Sequence, residues 1–153
     1  FETSGFDFVG GSLRGTLRSA RSVVEWWLRR SGSITTPWAE AGGFVRTRPD
    51  LPAPDLQFHF VPAILEDHGR ERVKEHGFSG HVCVLRPESR GTVRLADADA
   101  RAAPLIDPRY LSDERDMTTL LDGVKLLRRI LTAEPLARFG GKERHLAADD
   151  DAS

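Results

Sequence analysis

The sequence predicts an α+β domain in which an antiparallel sheet has helices packed on one face. Two segments, near residues 13–30 and 113–131, have apolar residues at helical spacing. Four short segments between them are rich in β-branched and aromatic residues and are bounded by proline and glycine, which is typical of strands. Because no helix separates these strand segments, antiparallel pairing is expected instead of a doubly wound parallel sheet.

The composition is that of a single globular domain over residues 1–153. The chain is 39% hydrophobic and 29% charged, with a formal net charge of -1. This balance disfavours general nucleic-acid binding, which requires an excess of basic residues. No apolar run approaches the roughly 20 residues needed to span a bilayer. The single cysteine, Cys83, lies between Val82 and Val84 and is interpreted as a buried thiol in a reducing, cytoplasmic setting.

The first helix is predicted to begin after Ser12 and to end near Arg30, with Gly32 as the stop signal. Its apolar stripe consists of Leu13, Leu17, Ala20, Val24, Trp27 and Leu28. We expect this stripe to be buried. The arginine-rich side is interpreted as a solvated surface and not as a contact for nucleic acid or membrane.

Two strands are predicted in the middle of the chain, at residues 41–46 and 55–61. In the second strand Leu56, Phe58 and Phe60 alternate with other residues, which predicts that one face of the strand lies in the core. The glycine pair in the first strand permits close approach to its backbone. Residues 62–80 are polar without clear periodicity and are expected to form a long surface excursion.

A β-hairpin is predicted next, with strands at residues 81–86 and 92–96 joined through residues 87–91. Pro87 cannot donate a ladder hydrogen bond and therefore marks the end of the first strand. An irregular connector containing two prolines leads to the last helix, which Ser112 or Asp113 is expected to cap. The buried stripe of this helix is predicted to contain Met117, Leu120, Leu121, Val124, Leu127 and Leu131.

Four sequence motifs resemble the substrate-binding half of the glucose-methanol-choline family of flavin-dependent oxidoreductases, especially its choline and alcohol dehydrogenase branch. The motifs are AEAGGF at residues 39–44, PDLQFHFVP at 54–62, RPESRGTVRL at 86–95 and PLIDPRYLSDERD at 104–116. The helix sequence LLDGVKLLRRIL follows them at residues 120–131. Together these motifs span most of the chain.

The resemblance implies a substrate-binding domain fragment. The dinucleotide fingerprint with which family members bind FAD does not occur in the sequence, and neither does the segment that carries their catalytic histidine. FAD is therefore expected in the full-length protein, and no cofactor is expected on this fragment, which would be inactive alone. The implied partners are an alcohol substrate and the missing FAD-binding domain. Self-association through an exposed sheet face or edge is also expected.

Four residues are candidates for substrate binding, and none is a candidate catalytic residue. By resemblance, Glu40 lies near the substrate cavity, where an acid attracts the quaternary ammonium group of choline, and Trp38 adds a ring that attracts cations. The alternative for Glu40 is an ordinary ion pair with an arginine. His59 is expected on the strand face opposite the core, either lining the cavity or in a structural role.

The fourth candidate is Arg86, which together with Arg90 has the geometry to clamp an anionic group. The alternative is that both arginines bind backbone carbonyls or nearby acids. A metal site is a weak interpretation, because the histidines lack the spacing of known ligand motifs.

The function predicted from these observations is that of a substrate-binding domain in an FAD-dependent oxidoreductase. Such an enzyme oxidises an alcohol, choline-like or another primary alcohol, by hydride transfer to flavin. The alternative is a non-catalytic ligand-binding or interaction module with the same fold, because a fold does not dictate a function.

Overall fold

The computed structural model describes residues 1–3, 12–35, 37, 39–66, 73–139 and 141–144. A short 3-10 turn occurs at Ser33–Thr35, between the first helix and the second strand. The helices and strands in chain order are β1 (Glu2–Thr3), α1 (Leu13–Arg29), β2 (Ala41–Val45), β3 (Leu56–Val61), β4 (His76–Gly77), β5 (Ser79–Val84), β6 (Thr92–Arg94), β7 (Leu105–Asp107), α2 (Glu114–Leu131) and α3 (Glu134–Ala137).

The main sheet contains three antiparallel strands in the order β2-β3-β5, with β3 in the centre. Helix α2 packs across β5 and β3 and covers one face of this sheet. The short strands form two further antiparallel pairs, β1 with β4 and β6 with β7. The predicted α+β class with antiparallel sheets is therefore confirmed.

The core lies between α2 and the covered sheet face. Leu56 is fully buried, and Phe58 and Leu131 are almost fully buried. Helix α2 approaches the sheet closely at Gly123, where a Cβ atom would lie 2.8 Å from Cγ2 of Val82. The predicted α2 stripe is buried or largely buried at five of its six residues, but Met117 is exposed, at 41%, so its predicted burial is wrong. Met117 lies on the first turn of α2.

A second apolar cluster forms around Phe78, which is 1% exposed. Its ring stacks on that of Phe1, with centroids 5.2 Å apart, and contacts the ring of Phe60. The amino group of Phe1 donates a hydrogen bond to the Phe78 carbonyl oxygen over 2.9 Å. Residues 62–66 and 73–80 are therefore not simply a surface excursion, because Ala63, His76 and Phe78 are all buried. The rest of the predicted excursion, residues 67–72, lies outside the described residues.

Helix α1 has the predicted bounds and the predicted cap. The hydroxyl of Ser12 accepts a hydrogen bond from the Gly15 amide at 3.1 Å and lies 2.7 Å from Nε2 of His76 on β4. The helix ends at Arg30, which takes the left-handed conformation with φ of 56°. The residue that ends it is therefore Arg30 and not Gly32.

The predicted burial of the α1 apolar stripe is wrong. Leu17, Val24, Trp27 and Leu28 are all more than half exposed, whereas Gly15 and Ser22 are buried. Hydrogen bonds explain this orientation, because Ser22 bonds with Ser33 of the 3-10 turn and thereby holds the polar side of the helix inward. Leu13 lies at a helix position whose side chain is outside the described residues.

The predicted pairing of residues 81–86 with 92–96 is also wrong, since β6 pairs with β7 and β5 pairs with β3. The amides of Glu88 and Ser89 donate to the carboxylate of Asp116 on α2, which directs the chain away from the sheet after β5. A Cβ atom on Gly91 would lie 2.3 Å from the Asp107 carbonyl oxygen, so the chain passes next to β7 instead. None of the helices formed by the described residues has the length and apolar character needed to cross a membrane.

Candidate functional site

The face of the main sheet opposite α2 carries polar and apolar side chains, and we call it the open face. Directly paired residues in an antiparallel sheet point to the same side. Because Leu56 and Phe58 point towards α2, the alternate residues of β3 and their partners point to the open face. The open face therefore carries Phe44 from β2, Gln57 and His59 from β3, and His81 and Cys83 from β5.

His59 and His81 are direct cross-strand partners on the open face. The sequence prediction that His59 lies opposite the core residues of its own strand agrees with this register. Desolvation by partial burial lowers the pKa of His81 below its ordinary value, and the charge of His59 lowers it further. Both effects favour the neutral imidazole at His81, which offers one hydrogen-bond donor and one acceptor to a ligand.

Glu40 immediately precedes β2, at the end of the sheet where Ala41 pairs with Phe60. Its side chain is exposed and forms no ion pair with any residue that the structure describes. The alternative of an ordinary ion pair with an arginine is therefore not realised within these residues. Trp38, the aromatic candidate beside Glu40, lies outside the described residues.

Arg86 lies at the other end of the sheet from Glu40. It follows β5, whose last residue pairs with Leu56, and its Nη1 donates to the Pro54 carbonyl oxygen over 2.6 Å. Arg90 likewise donates to the carbonyl oxygens of Pro87 and Ser89, at 2.7 and 2.9 Å. Both arginines bind the backbone, as the alternative interpretation holds, and Arg86 is not brought together with Glu40.

Two residues of the open face differ from the sequence analysis. Cys83 is exposed, so the prediction of a buried thiol is wrong. Its neighbours Val82 and Val84 point towards α2, and strand alternation therefore turns Cys83 to the opposite side. His81 was missed as a site residue, although the alternation of Ser79, His81 and Cys83 with apolar residues contained the signal.

The described residues do not fit a flavin dinucleotide. All strand pairs among them are antiparallel. They consequently form no β-α-β unit whose helix N-terminus would bind a pyrophosphate. No group of three or more His, Cys, Asp or Glu side chains within the described ranges is arranged to hold a metal ion.

The open face is also not a closed pocket, since Phe44 is 62% exposed and His81 and Cys83 are exposed. A binding site on this face would therefore need a second wall, which the residues that the structure describes do not form.

Comparison with known proteins matches residues 87–153 to the family model of GMC oxidoreductases. The alcohol dehydrogenase [acceptor] of Pseudomonas putida is 44% identical over 138 residues, which cover 90% of this chain and 24% of that protein. The mitochondrial choline dehydrogenase of Mus musculus is 40% identical over 132 residues, which cover 86% of this chain and 22% of that protein. The chain thus spans about a quarter of the length of these relatives.

A solved structure of formate oxidase from Aspergillus oryzae RIB40, studied for modification of its FAD, superimposes with a TM-score of 0.68. The match covers 87% of this chain and 28% of the formate oxidase, at 18% sequence identity. This likeness shows a shared fold. Together with the sequence matches, it shows that the chain is similar to GMC oxidoreductases over most of its own length, with the match to the family model at residues 87–153.

Proposed function

We propose that this chain is the substrate-binding wall of an FAD-dependent enzyme that oxidises an alcohol. The observation that carries the proposal is the His59–His81 pair on the open face of a chain similar to this family. Relatives named alcohol dehydrogenase and choline dehydrogenase support an alcohol as substrate. Oxidation of an alcohol by a flavin removes a hydride from carbon and a proton from the hydroxyl group.

In this proposal the chain binds and orients the alcohol and does not hold the flavin. His59 and His81 present imidazole nitrogens to the substrate hydroxyl group, and Gln57 extends the same polar row along β3. The flavin and the proton acceptor belong to other parts of a longer polypeptide, because the described residues have no dinucleotide-binding unit. The isolated chain is then inactive. A cytoplasmic location is part of the same proposal.

A cationic alcohol such as choline fits this wall through Glu40. The carboxylate is exposed and has no ion-pair partner among the described residues, so it is available to a ligand cation. Arg86 is occupied by the Pro54 carbonyl oxygen at the far end of the sheet. We therefore assign Arg86 to fastening the chain next to β3, while Trp38 remains a candidate second contact for the cation.

The test uses the complete gene product and compares choline with 3,3-dimethylbutan-1-ol, its uncharged isostere. The expected result is bound flavin that each alcohol reduces. Glu40→Gln should raise KM for choline about tenfold and leave KM for the isostere unchanged, since only choline loses an attraction between charges. His59→Ala should impair both substrates.

Two outcomes would contradict the proposal. A gene product without flavin that oxidises no alcohol would exclude the enzyme and leave the non-catalytic module. Stoichiometric flavin on the isolated 153-residue chain would show instead that the chain itself holds the cofactor. Glu88→Gln, an exposed acid away from the open face, is the matched charge control and should change neither KM.

A further inference from the structure

Helix α1 presents a row of large apolar side chains to solvent, which we call the outer row. The exposed fractions of its members are 64% for Leu17, 56% for Val24, 72% for Trp27 and 66% for Leu28. These residues lie at helical spacing and share one side of α1. An exposed apolar patch of this kind on one helix marks an interaction surface.

Hydrogen bonds hold the outer row outward. The Ser22 hydroxyl lies 2.8 Å from the Ser33 hydroxyl and accepts a hydrogen bond from the Ile34 amide at 3.2 Å. At the start of the helix, Ser12 bonds with His76 of β4. Turning the outer row towards the body of the protein would break these bonds and expose the buried Gly15 and Ser22. The orientation of α1 is thus built into its polar side.

The charge of the chain is concentrated on the same helix. Residues 13–30 contain five arginines and one glutamate, a net charge of +4, whereas the whole chain carries -1. The remaining residues therefore carry -5. Arg21 and Arg29 are both exposed, and Arg21 lies next to the outer row on the helix surface. The surface is apolar along its centre and basic along its side.

We propose that α1 lies flat on an anionic lipid surface, with the outer row inserted among the acyl chains and the arginines near the headgroups. A helix with an apolar face containing tryptophan and a basic polar face has the composition of interfacial helices. Anionic lipids attract each arginine near the membrane surface, and this attraction weakens with added salt. From the sequence, the basic side of α1 is interpreted as a solvated surface, but the exposure of the neighbouring apolar stripe favours contact with a membrane instead.

A second copy of the chain fits this surface less well. A two-fold contact through the outer rows would bring together two copies of residues 13–30, each with a net charge of +4, and like charges in contact oppose association. An anionic bilayer complements both the apolar centre and the basic side. It requires no spanning segment, in agreement with the lengths of the described helices.

The test measures binding of the complete gene product to vesicles by co-sedimentation and by tryptophan emission, and repeats the measurement with the 153-residue chain. Vesicles of phosphatidylcholine alone are compared with vesicles that also contain phosphatidylglycerol. We expect at least about tenfold tighter binding to the anionic vesicles, a blue shift of emission, and weaker binding as salt is added. The double variant Arg21→Gln/Arg29→Gln should lose most of this preference for anionic lipid.

The matched apolar variants are Trp27→Ser/Leu28→Ser on the outer row and Val93→Ser/Leu95→Ser on β6 and just after it. Val93 and Leu95 are 71% and 85% exposed, so both variants remove solvent-exposed apolar surface. The outer-row variant should lose vesicle binding, and the other variant should keep it. Circular dichroism establishes that each variant retains its helices.

Three results would overturn the proposal. Equal binding of the wild type to both kinds of vesicle would exclude an electrostatic contribution to binding. Equal binding by the two apolar variants would exclude α1 as the membrane contact. Light scattering that shows a dimer dependent on Leu28, with no vesicle binding, would identify a protein partner instead. None of these measurements involves flavin or alcohol, so the outcome is independent of the proposed enzyme function.

Discussion

The carboxylate of Asp116 on the first turn of α2 binds Ser89 through both the backbone amide and the hydroxyl group, at 2.9 and 2.5 Å. It also accepts a hydrogen bond from the Glu88 amide at 2.8 Å. The Ser89 hydroxyl in turn accepts a hydrogen bond from the amide of Asp113, the N-cap of α2. These bonds fasten the segment after β5 to the start of α2, and Asp116 is only 3% exposed.

Asp116→Asn should make the chain less stable at neutral pH and remove part of its acid sensitivity. Hydrogen bonds from Ser89 and Glu88 lower the pKa of Asp116. The ionised carboxylate therefore stabilises the fold above the ordinary Asp pKa of about 3.9, and this contribution is lost as pH falls through the lower folded value. Thermal unfolding of both proteins between neutral and strongly acidic pH measures the difference.

The control for this prediction is Asp50→Asn. Asp50 lies 3.7 Å from Arg48 in an exposed ion pair, and such pairs contribute little to stability. Its unfolding curve should follow that of the wild type at every pH. Identical pH profiles for Asp116→Asn and wild type would contradict a stabilising role for the Asp116 carboxylate.

Leu56→Ala should reduce the free energy of unfolding by about 2–5 kcal/mol, because Leu56 has no exposed surface and lies between β3 and α2. Leu95→Ala removes the same atoms from a residue that is 85% exposed and should change it by less than about 0.5 kcal/mol. Urea denaturation monitored by circular dichroism gives both values. Similar losses for the two variants would mean that the core does not lie beneath α2.

The neighbouring glycines of β2 should respond differently to alanine. A Cβ atom on Gly42 would lie 2.5 Å from the Phe58 carbonyl oxygen, a backbone atom, whereas one on Gly43 meets no atom within 4 Å. Gly42→Ala should therefore cost about 1–3 kcal/mol through displacement of the strands. Gly43→Ala should be neutral or stabilising by about 0.4–1 kcal/mol. The same denaturation measurement decides between these outcomes, and a reversed order would be inconsistent with the register of β2 and β3.

His81 should titrate below the ordinary histidine value of about 6.5. Burial is the main cause of its lowered pKa, and His59 is the second. His59→Gln should thus raise the pKa of His81 towards the ordinary histidine value without reaching it, because the effect of burial remains. Since a base with a lowered pKa is harder to protonate in the fold, its contribution to stability is complete above about pH 6.5 and declines at lower pH. NMR titration of the imidazole protons follows His81 directly, and an unchanged midpoint in His59→Gln would exclude coupling between the rings.

The sequence predicted helix bounds and strand faces more reliably than it predicted partners. Ser12 and Asp113 cap α1 and α2 as expected, because capping depends on residues within one turn. The alternation around Leu56 placed His59 on the open face for the same local reason. The outer side of α1 was mispredicted, since periodicity identifies an apolar stripe but not what covers it.

Pairing after β5 depended on contacts distant in sequence. The prediction joined residues 81–86 with 92–96 because a proline and a glycine lie between them. The structure instead uses the carboxylate of Asp116, about 27 residues beyond Ser89, to redirect the chain. Turn composition contains no information about such a partner. Likewise, the pairing of His59 with His81 follows from the register of β3 and β5, which the sequence alone does not specify.

One side of strand β3 packs against α2, and the other side carries Gln57 and His59 on the open face. Phe58 faces α2 and His59 faces outward, one peptide apart. A slip of β3 by a single position would exchange these directions for every residue along it. The packing of the core would then be lost together with the His59–His81 pair. Residues that stabilise the core therefore also fix the position of His59. Variants that weaken the core are accordingly expected to alter ligand affinity even when they lie on the far side of the sheet.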